Sequence, residues 1–262
     1  MFSPERAARA LLDARTAGRP AGPLPADIAP QTIAEGAATQ MALAGLLSAV
    51  PPGGFKIGAI ARRMQDNLGI SAPIAGFMRA ADIHSSGVSL PFARYRGVAV
   101  ECEVAVRLGH DLPPAPCDAA RAADAVAEMF AAIEIVENRY GPPPAGNLQA
   151  VGVPTLLADQ MFHAACVIGA PAAWRGLDLQ GVEGRMLRDG VDVDSGYGRD
   201  LMGHPLNALA WLAGSPEAAA FGGLRAGQVI MLGSVTPPLW LDAPARIRVA
   251  FAGMPPVDVA LI

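Results

Sequence analysis

The first quarter of the chain has apolar residues at helical spacing, interrupted by a segment rich in proline and glycine. Ser3 precedes Pro4, so a capping residue is followed by proline at the first helical position, which predicts a helix start. A second helix is predicted over residues 31–47, where a Pro-Pro-Gly-Gly run follows. We expect residues 1–54 to form a helical N-terminal cap on the rest of the chain.

Residues 55–262 show a different pattern, of short strands separated by turns. Apolar and polar positions alternate over residues 97–108, which predicts a strand, and a helix over residues 118–129 is predicted to lead into a strand at 131–138. Further strands are predicted at 163–169, 228–233, 245–251 and 257–262, with a hairpin at 185–194 and an apolar helix at 204–213. Many strands with few helices favour an α+β fold with a β-rich catalytic domain over residues 55–262.

The composition narrows the class of protein. Apolar residues make up 52% of the chain and charged residues only 17%, which predicts a thick core and a subunit interface without charge, hence a homo-oligomer. The net charge of −4 and the absence of a basic run exclude a nucleic-acid partner. The glycine patterns of nucleotide-binding folds are absent as well.

The cysteines and the N-terminus predict a cytoplasmic location. Cys102, Cys117 and Cys166 are an odd number without paired spacing, which favours free thiols in a reducing compartment. Charged residues interrupt the N-terminus too early for a signal peptide, and no stretch is apolar and long enough for us to expect a membrane span.

Three carboxylates stand out as candidate metal ligands. Glu101 and Glu103 lie two residues apart on a predicted strand, so both leave the same face about 6.5–7 Å apart. Glu134 interrupts an apolar strand, where an unpaired charge is unfavourable. Together they would form an all-oxygen site for Mg²⁺ or Mn²⁺. The alternative is a solvated strand face, with Glu134 paired to an arginine such as Arg139.

Lys56 is a second candidate, because it is the only lysine among twenty basic residues. A chain that otherwise uses arginine retains a lysine where a compact ammonium group is required. Chance retention is the alternative explanation.

Five motifs in order resemble the 2-oxopent-4-enoate hydratase and 4-oxalocrotonate decarboxylase branch of the fumarylacetoacetate hydrolase superfamily. They are the segments at residues 54–58 (GFKIG), 98–105 (with Glu101-x-Glu103), 134–139 (EIVENR), 201–213 (LMGHP with its helix) and 224–236 (LRAG with GSVT). The resemblance implies a mixed β-sheet roll around the site, metal ligation by Glu101, Glu103 and Glu134, and a substrate-facing Lys56. It also implies that Ser234 and Thr236 hold the substrate carboxylate.

The resemblance further implies a metal-dependent lyase acting on a small 2-oxo acid, most simply a hydratase. The His-x-x-Glu pair of the superfamily's carbon–carbon hydrolases is missing, because neither residue type occurs between Lys56 and His84. A decarboxylase is the alternative, as is a catalytically silent subunit that assembles with a related enzyme.

Several positions depart from the hydratase pattern and bear on the substrate. Ile74 stands where the hydratases have an acid, a change shared with decarboxylases. The family's Ala-Asp-Asn stretch ends in Gln160, and Phe162 replaces a small residue; we expect both to line the substrate pocket. His163 is a weaker candidate, either a general base or, as we favour, a hydrogen-bonded structural residue.

Overall fold

The computed structural model describes residues 2–141 and 148–262. The helices are α1 (Pro4–Thr16), α2 (Ile33–Leu46), α3 (Arg62–Leu68), α4 (Ala119–Ala125), α5 (Leu148–Val151), α6 (Val153–Ala158), α7 (Pro205–Ala213) and α8 (Pro216–Ala220). The strands are β1 (Gly54–Gly58), β2 (Ile74–Met78), β3 (Ile83–Ser85), β4 (Val88–Leu90), β5 (Val98–Leu108), β6 (Val126–Glu137), β7 (His163–Ile168), β8 (Glu183–Arg188), β9 (Val191–Tyr197), β10 (Val229–Ser234), β11 (Leu239–Trp240), β12 (Ala245–Phe251) and β13 (Val257–Leu261). No helix in these two ranges is long and apolar enough to cross a membrane.

Both N-terminal helices begin with a side-chain cap. The hydroxyl of Ser3 accepts a hydrogen bond from the backbone N–H of Arg6, as the cap preceding α1 requires. Thr32 and Glu35 form a reciprocal capping box at the start of α2. The two helices pack against each other, and α2 also contacts α6, α8 and β2.

An eight-stranded mixed sheet carries Lys56 and the three candidate glutamates, in the order β2-β1-β10-β5-β6-β7-β3, with β11 also paired to β5. Strands β5 and β6 pair antiparallel along nearly their whole length. The sheet curls until β2 contacts β7, so that one face becomes an interior. That interior holds a small apolar cluster including Ala105, Phe130, Cys166 and Met231.

A second sheet, in the order β4-β13-β12-β8-β9, packs on the opposite face of the first. The main hydrophobic core lies between the two sheets, and the apolar positions of β5 such as Val100 and Val104 point into it. The result is the predicted α+β roll of mixed sheets. Because apolar residues fill one face of β5, the polar residues that alternate with them face the interior of the curled sheet.

The helix predicted over residues 118–129 is too long. Helix α4 ends at Ala125, and β6 begins at Val126, five residues earlier than predicted. Met129 and Phe130 pair with Val106 and Ala105 of β5. The alanine-rich segment has high helix propensity, but cross-strand pairing and burial of these two large side chains outweigh it.

One buried glutamine links α2 to the sheet. Gln40 donates from its amide nitrogen to the carbonyl oxygens of Ala75 (2.9 Å) and Leu157 (2.6 Å), and its amide oxygen accepts from the N–H of Phe77 (3.3 Å). Its side chain is fully buried, so water cannot replace these bonds. The boundary at residue 54 stays a prediction, but these bonds tie the helices firmly to β2.

We predict that Gln40→Leu lowers the free energy of unfolding by about 2–4 kcal/mol, because it leaves buried backbone groups without partners. Chemical denaturation followed by circular dichroism measures the change. The matched control is Gln31→Leu at an exposed position, for which a change within about 0.5 kcal/mol is expected. Equal stability of the two variants would contradict the role given to Gln40.

Candidate metal centre

Three glutamates meet on the interior face of the curled sheet. Glu101 of β5 lies directly opposite Glu134 of β6, and Glu103 follows two residues along the same face. One carboxylate oxygen from each residue lies within 4.8 Å of the other two. Glu103 and Glu134 are fully buried, while Glu101 is partly exposed. The cluster therefore has one side through which a solute can approach.

Lys56 lies beside this cluster. It occupies β1, two strands away from β5 across β10, and its side chain is buried. Its Nζ lies 3.2 Å from Glu134 Oε1. Arg139, the alternative partner for Glu134, instead pairs with Asp159, with 2.9 Å between Nε and Oδ2. The lone lysine and the isolated glutamate thus form an ion pair inside the roll.

His163 also contacts Glu134; the sequence favoured a hydrogen-bonded structural residue at this position but did not indicate its partner. Its Nδ1 lies 2.8 Å from Glu134 Oε1. Burial lowers the pKa of His163, so the ring is neutral and Nδ1–H donates to the carboxylate. Its Nε2 is buried and has no hydrogen-bond partner among the described residues. A bulge opposite Ile135 and Val136 sets this position, and its only trace in the sequence is a histidine opening an apolar strand.

The pKa values of the three glutamates are shifted because the groups are buried close together. Burial, followed by repulsion from Glu134, raises the pKa of Glu101 to about 8. Burial and the same neighbouring charges raise the pKa of Glu103 well above its ordinary value. Burial also opposes ionisation of Glu134, but Lys56 and His163 outweigh it and lower that pKa to about 2. For all three groups to be ionised together, the site would therefore need positive charge beyond the one ammonium of Lys56.

The donor set fits a hard divalent cation. Glu103 Oε1 and Glu134 Oε2 are buried and have no hydrogen-bond partner in the described parts of the chain. The other oxygen of Glu103 accepts from the N–H of Gly233 at 2.9 Å, which fixes the carboxylate. Unsatisfied buried carboxylate oxygens are unfavourable by themselves, and Mg²⁺ and Mn²⁺ prefer such ligands.

Ser234 and Thr236 lie at the end of β10, where Ser234 is opposite Glu103. The hydroxyl of Ser234 is bonded to the backbone of Cys102, donating to its carbonyl oxygen and accepting from its N–H, both at 3.2 Å. Thr236 is buried, and its Oγ1 has no hydrogen-bond partner among the residues described. Of the two hydroxyls, that of Thr236 is therefore free to bind a ligand.

Gln160 and Phe162 have their described contacts elsewhere. Gln160 accepts from Arg15 and donates to the carbonyl oxygen of Phe77, at 2.8 and 2.7 Å. The ring of Phe162 packs edge-on against Tyr140, with centroids 5.9 Å apart. Both belong to a run of three residues with positive φ that includes Met161. Such backbone is strained for residues other than glycine, and the surrounding packing must hold it in place.

Comparison with known proteins identifies the family. The sequence pattern described as fumarylacetoacetate (FAA) hydrolase C-terminal matches residues 58–260. The chain belongs to this family.

Within this family, the chain is similar to proteins that are named as hydratases and to a decarboxylase of known structure. The 2-keto-4-pentenoate hydratase of Burkholderia vietnamiensis (strain G4 / LMG 22486) is 32% identical over 191 residues, covering 70% of this chain and 68% of that protein. The 2-keto-4-pentenoate hydratase 2 of Dechloromonas aromatica (strain RCB) is 30% identical over 263 residues, which cover 97% of this chain and 95% of that protein. The structure of 4-oxalocrotonate decarboxylase from Pseudomonas putida G7, complexed with magnesium and adipate, superposes with a TM-score of 0.88 at 22% identity, covering 99% of this chain and 97% of that one.

We predict that Glu103→Gln stabilises the metal-free protein by about 1–3 kcal/mol, because glutamine avoids the cost of burying and protonating an acid beside other carboxyl groups and keeps the hydrogen bond from Gly233. Denaturation in the presence of a chelator measures this change. Glu128→Gln is the matched control, since Glu128 lies on β6 in a half-exposed pair with Arg107. A destabilised Glu103→Gln variant would show that the carboxylates do not repel one another in the folded chain.

Proposed function

We propose that this chain is a divalent-metal-dependent lyase for a small 2-oxo acid, specifically a hydratase of the 2-oxopent-4-enoate type. The observation that carries the proposal is the set of three converging glutamates with unpartnered buried oxygens beside the buried Lys56. The relatives named as hydratases support the choice of reaction, because their identity extends over most of the chain.

In this proposal Glu101, Glu103 and Glu134 hold Mg²⁺ or Mn²⁺. When bound, the cation polarises the keto and carboxylate oxygens of a 2-oxo acid and so eases proton loss from the carbon next to the keto group. His163 and Lys56 both contact Oε1 of Glu134, which leaves Oε2 available as a ligand atom. These two residues therefore orient the carboxylate before any ligand arrives.

In this proposal Lys56 is the residue that acts directly on the substrate. Its ammonium is buried and already paired with Glu134, so it presents a fixed positive charge at low dielectric. A charge so placed can pair with the substrate carboxylate or move a proton at the reacting carbons. Thr236 adds a free hydroxyl in the loop after β10, from which it can donate to the same carboxylate.

A 4-oxalocrotonate-type decarboxylase is the second candidate, and Ile74 is the observation that favours it. Ile74 is buried in β2 and packs in the cluster that contains Met161. No acid stands there to assist addition of water. A silent partner subunit is a third possibility, which the intact ligand set disfavours.

The test follows absorbance of two substrates, enzymatically generated 2-hydroxypenta-2,4-dienoate and 2-oxohex-3-enedioate, with and without Mg²⁺. We expect metal-dependent loss of the dienoate with formation of 4-hydroxy-2-oxopentanoate. Release of CO₂ from the diacid, with the dienoate unchanged, would establish the decarboxylase instead. If neither substrate reacts although the metal is bound, both assignments fail.

We predict that Lys56→Met abolishes turnover and leaves the metal content at saturating Mg²⁺ unchanged, because removing an ammonium that repels the cation offsets the lost contact with Glu134. Elemental analysis and the absorbance assay measure the two quantities on one sample. Thermal melting confirms that the variant is folded, since methionine retains the buried aliphatic chain. Unchanged kinetics in the folded variant would remove Lys56 from the catalytic residues.

We predict that His163→Leu weakens metal binding about 10- to 100-fold, the effect typical of removing a hydrogen bond to a ligand. His163→Asn retains a donor near the position of Nδ1 and is expected to recover part of the loss. Calorimetric titration with Mn²⁺ measures both affinities without depending on activity. If both variants bind Mn²⁺ as tightly as the unmodified chain, His163 does not orient Glu134.

A further inference from the structure

A cavity of about 490 Å³ lies between the N-terminal helices and the closing edge of the curled sheet. Its lining comes from α1, the segment after β2, residues 93–96, the end of β6 and the start of β7. Lys56, the three glutamates, Ser234 and Thr236 are not part of the lining. Its volume is in the range of cavities that bind small metabolites.

Arginine dominates this lining. The five arginines are Arg15, Arg79, Arg94, Arg96 and Arg139. Three carboxylates neutralise them in part: Asp82 pairs with Arg79, Glu137 with Arg96, and Asp159 with both Arg15 and Arg139. Five guanidinium groups against three carboxylates leave two positive charges uncompensated.

Two of the lining residues have polar atoms without partners. Nη1 of Arg96 and the hydroxyl of Tyr95 are buried and make no hydrogen bond within the described ranges. Arg94 is exposed, has no ion pair among the described residues, and lies 5.8 Å from the centre of the Tyr95 ring. Buried donors without acceptors are unfavourable unless a ligand supplies the acceptors.

We propose that this arginine-lined cavity binds a small organic dicarboxylate. Two carboxylates match the two uncompensated positive charges, and the planar guanidinium fork suits a carboxylate through paired hydrogen bonds. A ligand of metabolite size also fits the cavity volume, which a single phosphate would leave largely empty. Tyr95 and Arg96 supply the unpartnered donors.

The cavity adjoins the metal centre without sharing its ligands. His163 and Gln160 line the cavity, and His163 also donates to Glu134. The dicarboxylate site does not depend on the proposed lyase activity, because its charged residues are separate from the three glutamates. A ligand bound in the cavity would lie beside His163, the residue that orients Glu134.

The test is calorimetric titration of the Mg²⁺-supplied protein with succinate, with neutral succinamide and inorganic phosphate as comparison ligands. We expect succinate to bind, succinamide not to bind, and phosphate to bind more weakly. Arg94→Gln should weaken succinate binding at least about tenfold, the effect of losing one charge-assisted hydrogen bond. Arg94 has no ion pair to lose in the described part of the chain, so this variant is expected to fold normally.

Two further variants distinguish this site from the metal centre. Glu103→Gln should leave succinate affinity unchanged, and Arg63→Gln, at an exposed arginine outside the cavity, should do the same. Loss of succinate binding in Glu103→Gln, or no effect of Arg94→Gln, would place the anion elsewhere and overturn the proposal. Absence of binding by any anion, or tighter binding of phosphate, would overturn it as well.

Discussion

The central constraint on this molecule is the repulsion among three carboxylates in a space from which water is largely excluded. One oxygen each of Glu101, Glu103 and Glu134 lies within 4.8 Å of the others, and among the residues that the structure describes only Lys56 brings a positive charge to them. Burial and mutual repulsion raise the pKa of two of the acids, which shows how unfavourable the arrangement is without a cation. The surrounding fold must supply the stability that this cluster forfeits.

The scaffold meets that demand with rigid elements. The long antiparallel pairing of β5 and β6 sets Glu101 opposite Glu134, and the N–H of Gly233 fixes Glu103. The apolar face of β5 packs against the second sheet, so the acids cannot turn outward without exposing the core. Outside the roll, Gln40 ties the N-terminal helices to β2. The arrangement of the three glutamates thus depends on packing between the two sheets and on contacts outside the metal centre.

Local patterns in the sequence predicted the parts of the site that depend on strand alternation. The period of two placed Glu101 and Glu103 on one face, and the apolar surroundings of Glu134 indicated a buried charge with a partner. The helix predicted over residues 118–129 extended into β6, because helix propensity contains no information about a strand from elsewhere in the chain. For the same reason the sequence favoured a hydrogen-bonded His163 without indicating its partner: its place opposite Val136 follows a bulge in the β6–β7 pairing, which leaves no local pattern.

The arginine-lined cavity could not be predicted from the sequence either, since its charged residues come from distant parts of the chain and no motif connects them.

The central claim is that the three glutamates together hold one divalent cation. Its most direct measurement is titration of the chelator-treated protein with Mn²⁺, followed by calorimetry and by the electron paramagnetic resonance of free Mn²⁺. The account predicts one ion per chain and a higher melting temperature on binding. A chain that binds no ion, or binds equally after Glu103→Gln, would contradict it.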